Sequence, residues 1–192
     1  MTIKKNLNSN KYTIIFPFKS SLNKLKEGEN IMINPKQLSE LIRQTLDDIG
    51  VKEISIERLI KGTFAMESNL SELFDHSNQY LYRRGLMLMD DNTATEVLEE
   101  YLKFRPVQRN AVSVACLIDL EKKTIGERLQ ALEYNVKFMT AITYLFYSSV
   151  YDKVPEDDLH DIASYYFKYY KKTGYKDTDK FIETYKSTFL NK

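Results

Sequence analysis

The chain has 192 residues, enough for one domain with a sizeable hydrophobic core. Its 28 Lys and Arg nearly cancel its 27 Asp and Glu, and no basic block stands out, which argues against a dedicated nucleic-acid binder. A single cysteine excludes an internal disulfide and a cysteine-based metal site, and no apolar run approaches the roughly 20 residues of a membrane span. Lys4 and Lys5 are followed by Asn and Ser rather than by an apolar stretch, so no secretory signal is expected. His76 and His160 lie in polar contexts without ligand spacing and read as surface residues; no metal and no cofactor is implied. Cys116, within Val112–Leu117, reads as a small buried thiol.

Residues 1–32 read as a polar arm with one short strand or extended segment at Tyr12–Phe16, and residues 33–192 as a helical domain. Asn34 and Pro35 open the first helix, whose stripe is Leu38, Leu41, Ile42, Leu46 and Ile49, and Gly50 closes it. A second helix runs from about Ser55 to Ser68, and residues 71–82 read as an irregular crossing. The apolar run Gly85–Met89 ends in acidic turn residues, and Thr93-x-x-Glu96 reads as a capping box for the next helix. Pro106 starts a helix to about Leu120. Thr124-x-x-Glu127 is a second capping box, opening one long helix to about Tyr151. Pro155 begins a further helix that Gly174 closes, and a last one starts at Asp177 or Thr178. Seven helical segments with at most one or two short strands predict an all-α domain.

Glu67 is the residue to which this pattern draws attention. Ile56, Ile60 and Thr63 precede it at helical steps, so it continues the face that the second helix buries, at the point where that helix ends. A carboxylate there is expected to be partly desolvated, which disfavours its charged form and suits a general acid. The competing reading is a carboxylate at the rim of the core, paired or reaching water. The chain also carries 14 tyrosines and no tryptophan. Their apolar faces and polar tips suit stacking on sugars, although their helical spacing equally suits core packing.

The segment Gly62-Thr63-Phe64-Ala65-Met66-Glu67-Ser68 resembles the helix-end motif of lysozyme-like lytic transglycosylases, in the version found in bacteriophage proteins. The family's next block, a glycine-led loop and a threonine-capped helix, is similar to Gly85–Ala94 here. Tyr101–Pro106, Tyr151–Pro155, Asp161–Tyr170 and Thr178–Tyr185 follow in the family's order, so the resemblance spans about residues 33–188. It implies a lysozyme-like fold in which Glu67 is the general acid and base that cleaves peptidoglycan glycan strands. Ser68, Met89 and Asp90 would contact the glycan beside Glu67, with Ser68 orienting Glu67 or merely capping the turn. Asp90 is the nearest candidate for a second carboxylate. Tyr144, Tyr147 and Tyr166 would line the glycan cleft, or pack the core.

Two positions depart from the family pattern: Leu88 stands where Gln is usual and Asp91 where Pro is usual. The usual Trp of the penultimate helix is Tyr166. Three readings follow. The first is a phage particle enzyme that acts in the host cell envelope, alongside other virion proteins. The second is a catalytically silent tail or baseplate protein with the same fold. The third, a helical adaptor for protein partners, rests on composition alone.

Overall fold

The computed structural model describes residues 33–70, 74–75, 82–156, 158–172 and 176–190. The chain divides into Met1–Ile31 and Met32–Lys192, and every described residue belongs to the second unit. The segment Tyr12–Phe16, His76, most of the expected crossing at 71–82 and Gly174 lie outside the described residues.

The protein is all-α: the described residues hold eight α-helices and a single three-stranded sheet of two-residue strands. Helix α1 (Pro35–Asp48) starts as expected, with the Asn34 side chain accepting from the backbone N–H groups of Lys36 and Gln37, and Gly50 follows it at φ 85. Helix α2 (Ile54–Ser68) ends at Asn69, which adopts the left-handed conformation and donates its N–H to Ala65 O. Strands β1 (Phe74–Asp75), β2 (Arg83–Arg84) and β3 (Met89–Asp90) pair antiparallel in that order, Arg84 lying opposite both Phe74 and Met89. Helix α3 (Asp91–Thr95) continues into a π-helical turn at Glu96–Tyr101, whose end carries the wide bond from Leu102 N–H to Val97 O.

Helices α4 (Pro106–Cys116), α5 (Ile125–Ala131) and α6 (Val136–Ser149) follow. Helix α7 (Leu159–Tyr166) passes into a second π-helical turn at Phe167–Lys171, and α8 (Thr178–Phe189) is last. Helix α6 is apolar almost all round and lies at the centre, against α1, α2, α4 and the first π-helical turn. Its polar Thr140 and Thr143 satisfy their hydroxyls on Val136 O and Met139 O one turn back.

Four expectations need correction. The long helix from Thr124 is two helices, because Asn135 caps α6: its side chain accepts from Phe138 N–H at 3.0 Å and donates to Cys116 O at 2.8 Å. The capping box at Thr124 and Glu127 does form. The one at Thr93 and Glu96 does not, because Asp90 is the cap of α3 and takes both the Thr93 N–H and its hydroxyl. The helices expected to end at Leu120 and to begin at Pro155 instead end at Cys116 and begin at Leu159, the latter with Asp158 as cap.

Helix α2 packs against α8 through Gly62, whose α-carbon faces the fully buried ring of Phe181 so closely that a methyl group there would collide with it. Alanine would gain about 1 kcal/mol in helix propensity and lose about 1–3 kcal/mol to overpacking. Gly62→Ala is therefore expected to lower the urea midpoint, whereas an unchanged or higher midpoint would contradict the close α2–α8 contact.

Candidate functional site

The last turn of α2 delivers Glu67 into contact with the end of α7. Ile56, Ile60 and Thr63 are buried beneath it, as their spacing required. The Glu67 side chain is only 4% exposed. Its Oε1 accepts a hydrogen bond from the Tyr166 hydroxyl. The Lys171 ammonium lies 3.1 Å from Oε1 and 3.0 Å from Oε2, and the Lys171 side chain is 39% exposed. The carboxylate thus has a buried phenol on one side and a solvent-facing cation on the other, both from its own chain.

Around this group stands a cluster of buried aromatic rings. Tyr166 stacks on Tyr170 with centroids 5.9 Å apart and planes at 17°, and meets Phe181 at 5.2 Å. Tyr147 lies 5.8 Å from Tyr170 and 6.0 Å from Tyr165. Each hydroxyl has a partner: Tyr147 pairs with the Thr63 hydroxyl at 2.6 Å, while Tyr165 donates to Asp152 O at 2.7 Å and Tyr170 to Met87 O at 2.6 Å. Burial pushes all four phenols up, Tyr165 to about 12; the negative charge of Glu67 adds to the shift at Tyr166 and Tyr170.

The turn after β2 closes the other side. Gly85 has φ 70, and a side chain there would meet Leu132 O at 2.7 Å, so both conformation and space require glycine. Leu88 donates its N–H to Gly85 O at 2.9 Å; it is held at φ 44 and is 8% exposed. Asp91 receives the Arg84 guanidinium on both oxygens, at 2.6 and 2.9 Å, and Arg84 also bonds Glu133.

The expected site residues separate into those this cluster gathers and those it does not. Glu67, Tyr147 and Tyr166 are together, and Tyr170 senses the charges of both Glu67 and Asp90. Tyr147 and Tyr166 are core residues with engaged hydroxyls. Tyr144 is half-buried, its carbonyl accepting from Ser148. Ser68 is buried, and its hydroxyl donates to Phe64 O at 2.9 Å. Met89 is buried in β3, and both oxygens of Asp90 serve Thr93. The surface grooves along α1–α2 and beside α4 have other linings and do not include Glu67. Among the described residues no cluster of three His, Cys, Asp or Glu forms a metal site, and no helix is long and apolar enough to cross a membrane.

The sequence placed Tyr170 on the inner face of its helix beside Tyr166 but not among the candidate site residues, and it did not single out Lys171. Tyr170 follows Tyr166 by one helical step, so the signal for it was present. Lys171 is five residues from Tyr166, roughly 140° round an α-helix. The wider π-helical turn brings it back to the same side, a change of pitch that side-chain spacing does not disclose.

The aromatic cluster predicts alkaline sensitivity. Its phenols stay protonated in the folded chain and ionise near pH 10 once unfolded, so the unfolded state releases protons first and stability falls as pH rises above about 10. Tyr147, Tyr165, Tyr166 and Tyr170 should ionise together with loss of helical circular dichroism. Ionisation of all 14 tyrosines near pH 10 with the helices intact would contradict this. In comparisons with known proteins, the chain matches no family model, no curated protein and no solved structure.

Proposed function

We propose that this chain is a phage virion protein, of the tail or baseplate, that keeps a lysozyme-like helical framework while its glycan-cutting site is closed. The observation that carries this reading is the state of Glu67. An acid that protonates a glycosidic oxygen must reach it within hydrogen-bond distance. Here the Glu67 side chain is 4% exposed, and Tyr166 and Lys171 occupy its oxygens. The two departures from the family motif support the same reading. Leu88, in the place of a polar glycan contact, is buried, and Asp91 is bound by Arg84.

One observation favours a second reading, cleavage of peptidoglycan in the manner of lytic transglycosylases. Lys171 is 39% exposed, so of the two groups on Glu67 it is the one that can turn into solvent and release a carboxylate oxygen for a glycan strand. Glu67 would then protonate the glycosidic oxygen and take the proton from the sugar's own 6-hydroxyl, which attacks the anomeric carbon and leaves an anhydro-sugar end.

Muropeptide analysis of purified sacculi separates the two, with mass spectrometry of purified particles testing the location. The proposal expects the chain in the particle at a fixed copy ratio, and indistinguishable sacculus digests for the wild type and Glu67→Gln. Anhydro-muropeptides released by the wild type but not by Glu67→Gln would establish the second reading, and absence from particles would overturn the virion assignment.

A further inference from the structure

Two contacts that close the Glu67 site come from neighbouring residues of one π-helical turn, Phe167–Lys171. Lys171 holds both carboxylate oxygens of Glu67, at 3.1 and 3.0 Å. One residue earlier, Tyr170 donates its hydroxyl to Met87 O at 2.6 Å, in the turn after β2. The two targets stand on different elements, yet the same short piece of backbone grips both.

Helical pitch decides whether these contacts exist. Bonds between residues five apart keep Lys171 on the side of Tyr166, whereas at α-helical pitch it would lie roughly 140° away. Rewinding the turn to α-helical pitch, with α7 left in place, swings Lys171 off Glu67. Tyr170 leaves Met87 O in the same rotation. Tyr166 belongs to α7 itself and stays on Oε1, so Oε2 is the oxygen set free. Tyr170 also gives up the rings of Phe146 and Tyr147, 5.2 and 5.8 Å away, so the rewound form is the minor one. The wide pitch is held by what it grips rather than by the backbone. Such turns are rare, and they occur mostly singly and at functional sites. Lys172 ends this one at φ 51, a left-handed conformation that Gly or Asn adopts more readily than Lys. On its outer side the turn holds Asp152 through Lys168 and Tyr169; Lys168 and Asp152 are 56% and 47% exposed, so their ion pair adds little.

We propose that the turn Phe167–Lys171 is an autoinhibitory latch. At π-helical pitch it shuts Glu67 and pins the turn after β2, and at α-helical pitch it releases both together. Calling it autoinhibitory rests on the reading of Glu67 as a closed glycan site, and the latch names what holds that site shut. Its test reads the backbone and not glycan cleavage. A latch without cleavage and cleavage without a latch are thereby distinguished.

Amide hydrogen exchange of the full chain, resolved by residue, is that test. In the wild type the amides of 167–171 should exchange in one common opening with those of Leu86 and Leu88, which bond Met139 Sδ and Gly85 O, and ahead of α6. Lys171→Met removes the grip on Glu67, and should speed exchange in both segments about tenfold relative to α6. Deleting Lys168 takes one residue out of the turn, so α-helical pitch then carries Tyr170 and Lys171 close to where they stand now. Exchange in both segments should slow about tenfold in that variant. A Lys171→Met effect confined to 167–171, or shared equally by α6, would overturn the latch. So would a folded deletion variant in which Leu86 and Leu88 exchange as fast as before or faster. If the deletion variant does not fold, Lys171→Met decides alone.

Discussion

The arrangement depends on one buried carboxylate satisfied from within the chain. Glu67 ends α2, Tyr166 ends α7, and Lys171 ends the π-helical turn that continues α7. Burying a charge is expensive unless it is paired and hydrogen-bonded, and here both conditions are met, by a phenol from the core and an ammonium from the surface. The contact ties the second helix to the penultimate one, and the Phe181 ring against Gly62 and Tyr166 ties the last helix to both. The Glu67 carboxylate serves as a fastening between helices.

The neighbouring features share this character. Gly85 lets the turn after β2 lie on the backbone of Leu132, and Tyr170 then anchors that turn through Met87 O. Leu88 accepts a left-handed conformation and is buried. For a leucine that conformation costs about 1–2 kcal/mol, comparable with what burial of its side chain returns. Asp91, at the first turn of α3, gains both the helix N-terminus and a two-pronged contact with Arg84. The polar and backbone groups of this turn are engaged with the chain itself.

Much of this was legible in the sequence where the signals were local. Asn34, Pro35 and Gly50 marked the ends of α1, Thr124 and Glu127 opened α5, and the stripe Ile56–Ile60–Thr63 placed Glu67 on a buried face. What sequence spacing missed depends on contacts made across the fold. Asn135 breaks the apparent long helix because its amide also reaches Cys116 O, nineteen residues away. Asp90 displaces Thr93 as a cap because the acidic side chain takes both donors of that threonine. Tyrosines at helical spacing read alike as cleft or core until their hydroxyl partners are known, and Lys171 comes into range only through a π-helical pitch.

If Glu67 is held for stability rather than kept poised for chemistry, the sign of one free-energy change shows it. Groups positioned for catalysis commonly strain the fold, so replacing them often stabilises it. A paired, hydrogen-bonded carboxylate behaves the opposite way. Urea unfolding of Glu67→Gln should show a loss of about 1–3 kcal/mol, much of it absent when Lys171 is already Met. A variant more stable than the wild type, with no coupling to Lys171, would contradict the account.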